Sequence, residues 1–233
     1  MEYKKIVKGI FISRPNRFIA KVLIDGIETT VHVKNTGRCK ELLVEGAAVY
    51  LEDFGENMGT RKFRYSLIAV QKNDLLINMD SYAPNVVVRE ALYDRSLTLP
   101  NMSDLCYIIP EATCGNSRLD FYVEDNKGNK GFVEVKGVTL ENDGVVSFPD
   151  APTVRGVRHV NELCEIVNQG FNAYIIFIIQ MEKAKYFTPN DLCHSEFGEA
   201  LRNAEKNGVN ILAYSCTVTP DTLNIKDKIP VKL

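Results

Sequence analysis

Apolar and polar positions alternate in short runs through the first third of the chain. The alternation predicts strands at Ile6–Ile12, Arg17–Ile24, Glu28–Val33, Ala47–Asp53, Lys62–Gln71 and Leu75–Asn78. Turn-forming residues separate them at Asp25-Gly26, Glu45-Gly46 and Gly55. A short helical turn at Cys39–Leu43 fits between the third and fourth strands. Five or six short strands in roughly 80 residues predict a small barrel, and the oligonucleotide-binding (OB) barrel is the commonest of that size.

Near Asp80–Pro84 the pattern changes. Asn85–Tyr93 reads as a helix with Asn85 as its N-cap and Val86, Val87, Ala91 and Leu92 for packing. Strands are predicted at Leu105–Ile109, Ser117–Val123 and Gly131–Val138. Thr153–Gln169 reads as a helix with the stripe Val157, Val160, Leu163, Cys164 and Val167, closed by Gly170. A buried strand at Ala173–Ile179, a helix at Asp191–Asn207 ending at Gly208, and a strand at Val209–Ser215 complete the pattern. An OB-like β-barrel over residues 1–82 is therefore expected to precede an α/β domain over residues 83–233.

Composition narrows the function classes. The chain has 233 residues, 45% of them apolar, which is enough for a sizeable core. No run approaches the ~20 apolar residues of a membrane helix. The opening MEYKKIVKGIF lacks the apolar core and small-residue cleavage site of an export signal, so a cytoplasmic location is expected. The six cysteines form no CxxC pair, which argues against a zinc finger and for reduced, mostly buried thiols. Net charge is −2, but residues 1–80 carry 13 Lys+Arg against 10 Asp+Glu. The basic excess thus falls on the barrel half, where a phosphate-bearing partner would bind.

The candidate chemistry lies in RLDFYVEDNKGNKGFVEVKG, Arg118–Gly137. Its polar middle, Asp125–Lys130, contains Gly128 and reads as the turn of a hairpin centred near residue 127. That symmetry sets Asp120 opposite Glu134, and cross-strand Cβ atoms lie ~5 Å apart. Lys136 follows Glu134 by two and shares its face. Two carboxylates of this kind suit Mg²⁺ or Mn²⁺, which take one or two carboxylates together with phosphate oxygens and water. A nearby lysine offsets charge developing on phosphorus. Glu111, on the preceding segment, supplies a third carboxylate or a supporting contact. Read alone, the Glu-x-Lys triplet fits a solvated strand face equally well. The order strand, Asp, turn, strand, Glu-x-Lys, helix is the layout of the PD-(D/E)xK nuclease superfamily, with Leu119-Asp120 in place of the usual Pro-Asp.

Other motifs sharpen this. EVKGVTL at Glu134–Leu140 is followed by FPDAPTVRGVRH at Phe148–His159, and the first module carries Arg17-Phe18, NTGR at Asn35–Arg38 and RKFRY at Arg61–Tyr65. Together these resemble the sugar fermentation stimulation protein family, SfsA, over essentially the whole chain. The resemblance implies an OB-like barrel followed by a PD-(D/E)xK nuclease-like α/β domain, DNA binding, and a regulatory link to sugar (maltose) metabolism genes. By motif, Asp120, Glu134 and Lys136 match the nuclease-like triad, and Glu111 the upstream acid. Arg155, Arg158 and His159 fall on the helix after it.

The expected nucleic-acid contacts are Arg17, Arg38, Arg61, Lys62, Arg64, Arg155 and Arg158, with DNA as partner. Along a strand, Arg61, Phe63 and Tyr65 would share one face and Lys62 and Arg64 the other, the cation-plus-aromatic mix of single-strand binders. An ordinary solvated edge gives the same pattern. His159 on a helix is more often structural than catalytic. Asp150 reads as a turn residue before the helix, and His32 and His194 have no evident partner. Two function classes follow: a Mg²⁺- or Mn²⁺-dependent phosphodiesterase, and a non-catalytic DNA-binding regulator.

Overall fold

A computed structural model describes residues 1–233 except Thr36 and Asn116, and gives no side-chain account of Ser117. Thr36 of the NTGR element therefore lies outside the described residues.

The first module is β1 (Ile6–Asn16), β2 (Ile19–Ile24), β3 (Ile27–Val33), β4 (Ala48–Asp53), β5 (Tyr65–Lys72) and β6 (Leu75–Asn78). These pair in the order β3-β2-β1-β4-β5-β6, and a parallel contact between β3 and β5 closes the first five into a barrel. Closure satisfies the edges that a five-strand sheet would otherwise leave open. Alternate residues such as Val22, Val31, Val49 and Leu51 fill the interior. The turn at Cys39–Leu43 is present, with the Leu43 amide donating to the Cys39 carbonyl at 2.9 Å.

One expectation about this module fails. β5 begins at Tyr65, so Arg61–Arg64 lie in the connection before it and do not alternate across a sheet. Gly59 and the turn residues around it hold this stretch off the ladder.

The second module follows with α1 (Ala83–Tyr93), β7 (Leu105–Cys114), β8 (Ser117–Asp125), β9 (Lys130–Val138), β10 (Leu140–Asn142), β11 (Val145–Phe148) and α2 (Val154–Asn168). Then come β12 (Asn172–Ile179), β13 (Tyr186–Pro189), α3 (Asp191–Lys206), β14 (Asn210–Val218) and β15 (Leu223–Lys228). The main sheet runs β15-β14-β12-β9-β8-β7, with β9, β12 and β14 parallel and the outer pairs antiparallel. A small sheet of β10, β11 and β13 packs beside it.

Ala173–Ile179 of β12 is fully buried, as a central strand covered on both faces must be. α1 covers one face over Phe121, Val133 and Tyr174. α2 and α3 cover the other over Phe132, Ile175 and Phe177, and that core runs on without a break into the barrel interior. Gly137 sits at the junction, where a Cβ would lie 2.5 Å from Gln180 Oε1 and 2.8 Å from Pro84 Cγ.

α1 begins two residues earlier than the pattern predicts. Its N-cap is Tyr82, not Asn85, because Pro84 fits the first helical turn, where no amide donor is needed. The Asn85 side chain is thereby free for another use. Among the described residues no helix is long and apolar enough to cross a membrane.

Candidate carboxylate and lysine site

The hairpin register is the one expected from its turn. Phe121 pairs with Val133, Tyr122 with Phe132, Val123 with Gly131 and Glu124 with Lys130. Asp120 and Glu134 come next in that register, but the ladder ends before them. On the other side, β7 pairs Pro110 with Phe121 and Ala112 with Leu119, and skips Glu111 opposite Asp120. Glu111 has φ +54°, a left-handed conformation that non-glycine residues rarely adopt. Irregularities of this kind re-aim side chains beside functional sites. Asp120 thus stands where both neighbouring ladders lapse.

Its carboxylate fills the gap. Asp120 Oδ2 accepts the Val135 amide at 2.7 Å, and Oδ1 accepts Asn85 Nδ2 at 2.7 Å. Burial and then the negative charge of Glu134 push the Asp120 carboxyl above the usual range.

Glu134 is only 3% exposed, on a strand otherwise filled by Phe132, Val133 and Val135. Its Oε1 meets both Lys136 Nζ and His159 Nδ1. Its Oε2 is buried with no hydrogen-bond partner. Burial pushes its carboxyl up, but the His159 hydrogen bond and the Lys136 charge outweigh that and hold it below the usual range. The two acids are therefore driven in opposite directions by their surroundings.

His159 belongs to this site and is not an isolated core residue. α2 places it against Glu134, and its Nε2 accepts Arg155 Nε at 3.2 Å. An Nε2 that accepts assigns the proton to Nδ1, which then donates to Glu134. Arg155 acts through His159, whereas Arg158 pairs with Glu162 one helical turn on, at 3.4 Å. Glu111 is brought to the same depression as Asp120, but its exposed carboxylate is engaged by Arg118. Among the described residues no group of three or more His, Cys, Asp or Glu side chains is arranged to hold a metal ion. The two neighbouring carboxylates are Asp120, both of whose oxygens accept hydrogen bonds, and Glu134, whose Oε2 has no partner. Two hard carboxylates of this kind fit Mg²⁺, Mn²⁺ or Ca²⁺.

The barrel cations are placed unevenly. Arg17 is exposed with its guanidinium 4.8 Å from the Phe18 ring centre. Arg61 lies 4.1 Å from the Phe54 ring centre, and Lys62 is exposed. Arg64 is committed to structure: Nε and Nη2 donate to the buried Asp53 carboxylate at 2.7 and 2.9 Å. That bond holds the Asp53 carboxyl far below its usual range.

Arg38 is exposed, and its amide donates to Asp150 Oδ2 at 3.0 Å. The NTGR loop is thereby latched to the FPDAPT segment. Asp150 caps a loop of the other module, a role beyond the turn residue that its sequence position predicts. One residue of this region carried no signal in the sequence pattern. Arg14 donates to the carbonyls of Arg17, Asn35, Gly37 and Arg38 at 2.6–2.9 Å, so one guanidinium shapes the loop. Asn85 orients Asp120. An Arg two residues before Asn16-Arg17-Phe18 looks like any surface residue until the chain folds, and the sequence marks Asn85 only as a helix cap. His32 meets Ser66 Oγ at 3.4 Å, and His194 Nδ1 accepts the Thr153 amide at 3.3 Å. All six cysteines are unpaired.

The fold and site define a protein with a closed OB-like barrel joined to a mixed α/β domain that carries a buried carboxylate and lysine centre. Residues 12–79 match the family model described as the SfsA N-terminal OB domain, and residues 82–222 match the sugar fermentation stimulation protein RE domain. The chain belongs to the sugar fermentation stimulation protein family. It is 52% identical over 233 residues to the sugar fermentation stimulation protein homolog of Clostridium beijerinckii, covering 100% of both chains. It is also 52% identical over 233 residues to that of Desulfitobacterium hafniense, covering 100% of this chain and 99% of the relative. Pyrococcus furiosus SfsA, whose structure was solved in complex with Ca²⁺, superimposes with a TM-score of 0.88 at 27% identity, covering 100% of this chain and 98% of that one. The architecture expected from the sequence, an OB-like barrel before an α/β domain, is the one observed.

Proposed function

We propose that the protein binds DNA and that Asp120, Glu134 and Lys136 form a divalent-metal-dependent phosphodiesterase site of the PD-(D/E)xK kind. One observation carries this reading. Glu134 is buried and charged, one oxygen is held by Lys136 and His159, and the other has no partner. A buried carboxylate oxygen without a donor is costly, and a cation supplies what it lacks. The Ca²⁺ complex of the Pyrococcus furiosus relative supports a cation in this family.

A bound Mg²⁺ or Mn²⁺ supplies charge neutralisation at the phosphate and a more acidic water. The chain's own residues do the rest. Asp120 and Glu134 hold the cation, and Asn85 and the Val135 amide fix the Asp120 carboxylate. His159, steadied by Arg155, fixes Glu134. The Lys136 ammonium stands beside Glu134, where it orients the attacking water and offsets charge developing on phosphorus. Glu111 lies at the mouth as a supporting acid, and Arg38, Arg61, Lys62 and Arg158 offer phosphate contacts.

A second reading, a DNA-binding regulator of sugar metabolism genes without turnover, is favoured by one observation. Glu111 is engaged by Arg118, which leaves two carboxylates, a set that serves binding as well as catalysis. The deciding experiment compares wild type, Lys136→Ala and Asp120→Asn on single-stranded, duplex and branched DNA and on RNA, with Mg²⁺, Mn²⁺ or EDTA. Metal-dependent cleavage lost in both variants supports the enzyme. Metal binding and DNA binding with no cleavage on any substrate supports the regulator.

A further inference from the structure

Three open depressions lie in series across the surface, and each shares lining residues with the next. The first, about 300 Å³, is on the barrel and is lined by His32, Lys34, Arg61, Lys62, Phe63 and Ser66. The second, about 450 Å³, shares His32 and Lys34 and continues along Phe18, Ser81 and Tyr82. The third, about 250 Å³, shares Tyr82 and passes Asn85 and Arg89 to end on Glu111 and Asp120. The three depressions adjoin through His32, Lys34 and Tyr82, and so mark out a path from the basic loop of the barrel to the half-buried carboxylate, with Tyr82 at the step between the two modules.

The lining has the chemistry of a particular ligand. Phe18 is 48% exposed and Tyr82 is 70% exposed, so two large rings stand in water along one path. Arg61, Lys62 and Arg89 are exposed beside the path. The acid in the middle depression, Asp80, is buried and paired with Lys34 at 3.0 Å, an ammonium that also meets Glu52 at 3.3 Å, so the free cations of the path are those at its two ends. Cations that follow a backbone and rings that accept base faces are the two components of single-strand recognition. Bases stacked within a duplex have no free face to offer the rings.

We propose that this route holds one unpaired DNA strand, its bases stacked on Phe18 and Tyr82 and its phosphates against Arg61, Lys62 and Arg89, so that a phosphodiester arrives at Asp120. The last step rests on the phosphodiesterase reading above; occupancy of the route does not. The barrel is then the guide that sets which strand reaches the carboxylates, and Tyr82 is the stacking platform that hands it over.

The test is fluorescence anisotropy in Ca²⁺ with labelled oligothymidylate, its duplex with oligoadenylate, and oligouridylate. Phe18→Ala and Tyr82→Ala each remove an exposed ring and leave the core intact. Each is expected to weaken oligothymidylate binding roughly 5- to 150-fold, the effect of one lost stacking contact, and to leave duplex affinity unchanged. Replacing Arg61 and Lys62 together by Ala is expected to reduce the salt slope by about 1.4, at ~0.7 per phosphate on a single strand. Wild-type affinity for oligothymidylate in both aromatic variants overturns the route. Tighter binding of oligouridylate than of oligothymidylate overturns the choice of DNA. Calorimetric metal binding to Asp120→Asn keeps the two readings apart. Undiminished metal affinity there sinks the carboxylate site while a Tyr82→Ala loss still upholds the route, and the reverse pattern sinks the route alone.

Discussion

His159→Ala tests how the buried carboxylate is held. The ring is 3% exposed, donates from Nδ1 to Glu134 Oε1 and accepts Arg155 Nε. Truncation leaves Glu134 Oε1 with Lys136 alone, while Oε2 already lacks a partner. Losing a hydrogen bond to a charged acceptor costs about 1.5–3 kcal/mol. A void of some tens of Å³ adds roughly 1 kcal/mol at ~24 cal/mol per Å³. The sum, about 2.5–4 kcal/mol, lowers the Tm by roughly 5–16 °C, at ~2–4 °C per kcal/mol for a chain of this size. The assay is urea denaturation of wild type, His159→Ala, Glu134→Gln and the double variant. If the cost comes from stranding the carboxylate, the neutral side chain of the Glu134→Gln background absorbs much of it, and the coupling is about 2 kcal/mol. An equal cost of His159→Ala in both backgrounds would refute the reasoning and leave His159 as a space-filling residue.

Three further outcomes are expected. Because the folded Asp120 carboxyl is raised above its unfolded value, its ionisation opposes folding; the penalty is absent below the unfolded range near ~4 and complete above the folded one. Metal-free Asp120→Asn should therefore be more stable than wild type at neutral pH, with the gap closing in acid, whereas saturating Mn²⁺ should reverse the order; a wild type that is the more stable protein in EDTA contradicts this. Arg14→Lys cannot reproduce contacts to four carbonyls with one ammonium, and should cost about 2 kcal/mol in denaturation, with no loss refuting its organising role. Gly37→Ala would set a Cβ 2.5 Å from Asp150 Oδ2, so it should cost about 1–3 kcal/mol and speed hydrogen exchange at the Arg38 amide, and unchanged exchange would show that the latch survives.

The barrel strands, the main helices and the hairpin register were legible in the sequence because each depends on neighbours a few residues apart. Alternation of period two marks Ile19–Ile24 as a strand whether or not its partners are known, and Gly170 ends α2 by its own positive φ of 88°. The turn around Gly128 fixes the pairing of Phe121 with Val133, and so brings the Asp120 and Glu134 positions together. The strands β10, β11, β13 and β15 were not read from the sequence; β13 is placed by β11, far along the chain, whereas β10 and β15 close short hairpins onto β11 and β14. The stretch Arg61–Arg64 has the composition of a strand but is held off the ladder by the turn before it.

At the site, residue types were visible and their environments were not. Sequence places Glu134 and Lys136 on one face, but only the docking of α2 buries Glu134, gives it His159 and leaves Oε2 alone. Only the packing of α1 turns Asn85 from an expected helix cap into a donor for Asp120. The path from Phe18 through Tyr82 to Asp120 joins residues about a hundred positions apart, and no local pattern records it. Backbone preferences and hydrophobic period act over a few residues and are written in the chain. Desolvation, charge coupling and surface continuity arise between segments and exist only once the sheet, the helices and the barrel have closed on one another.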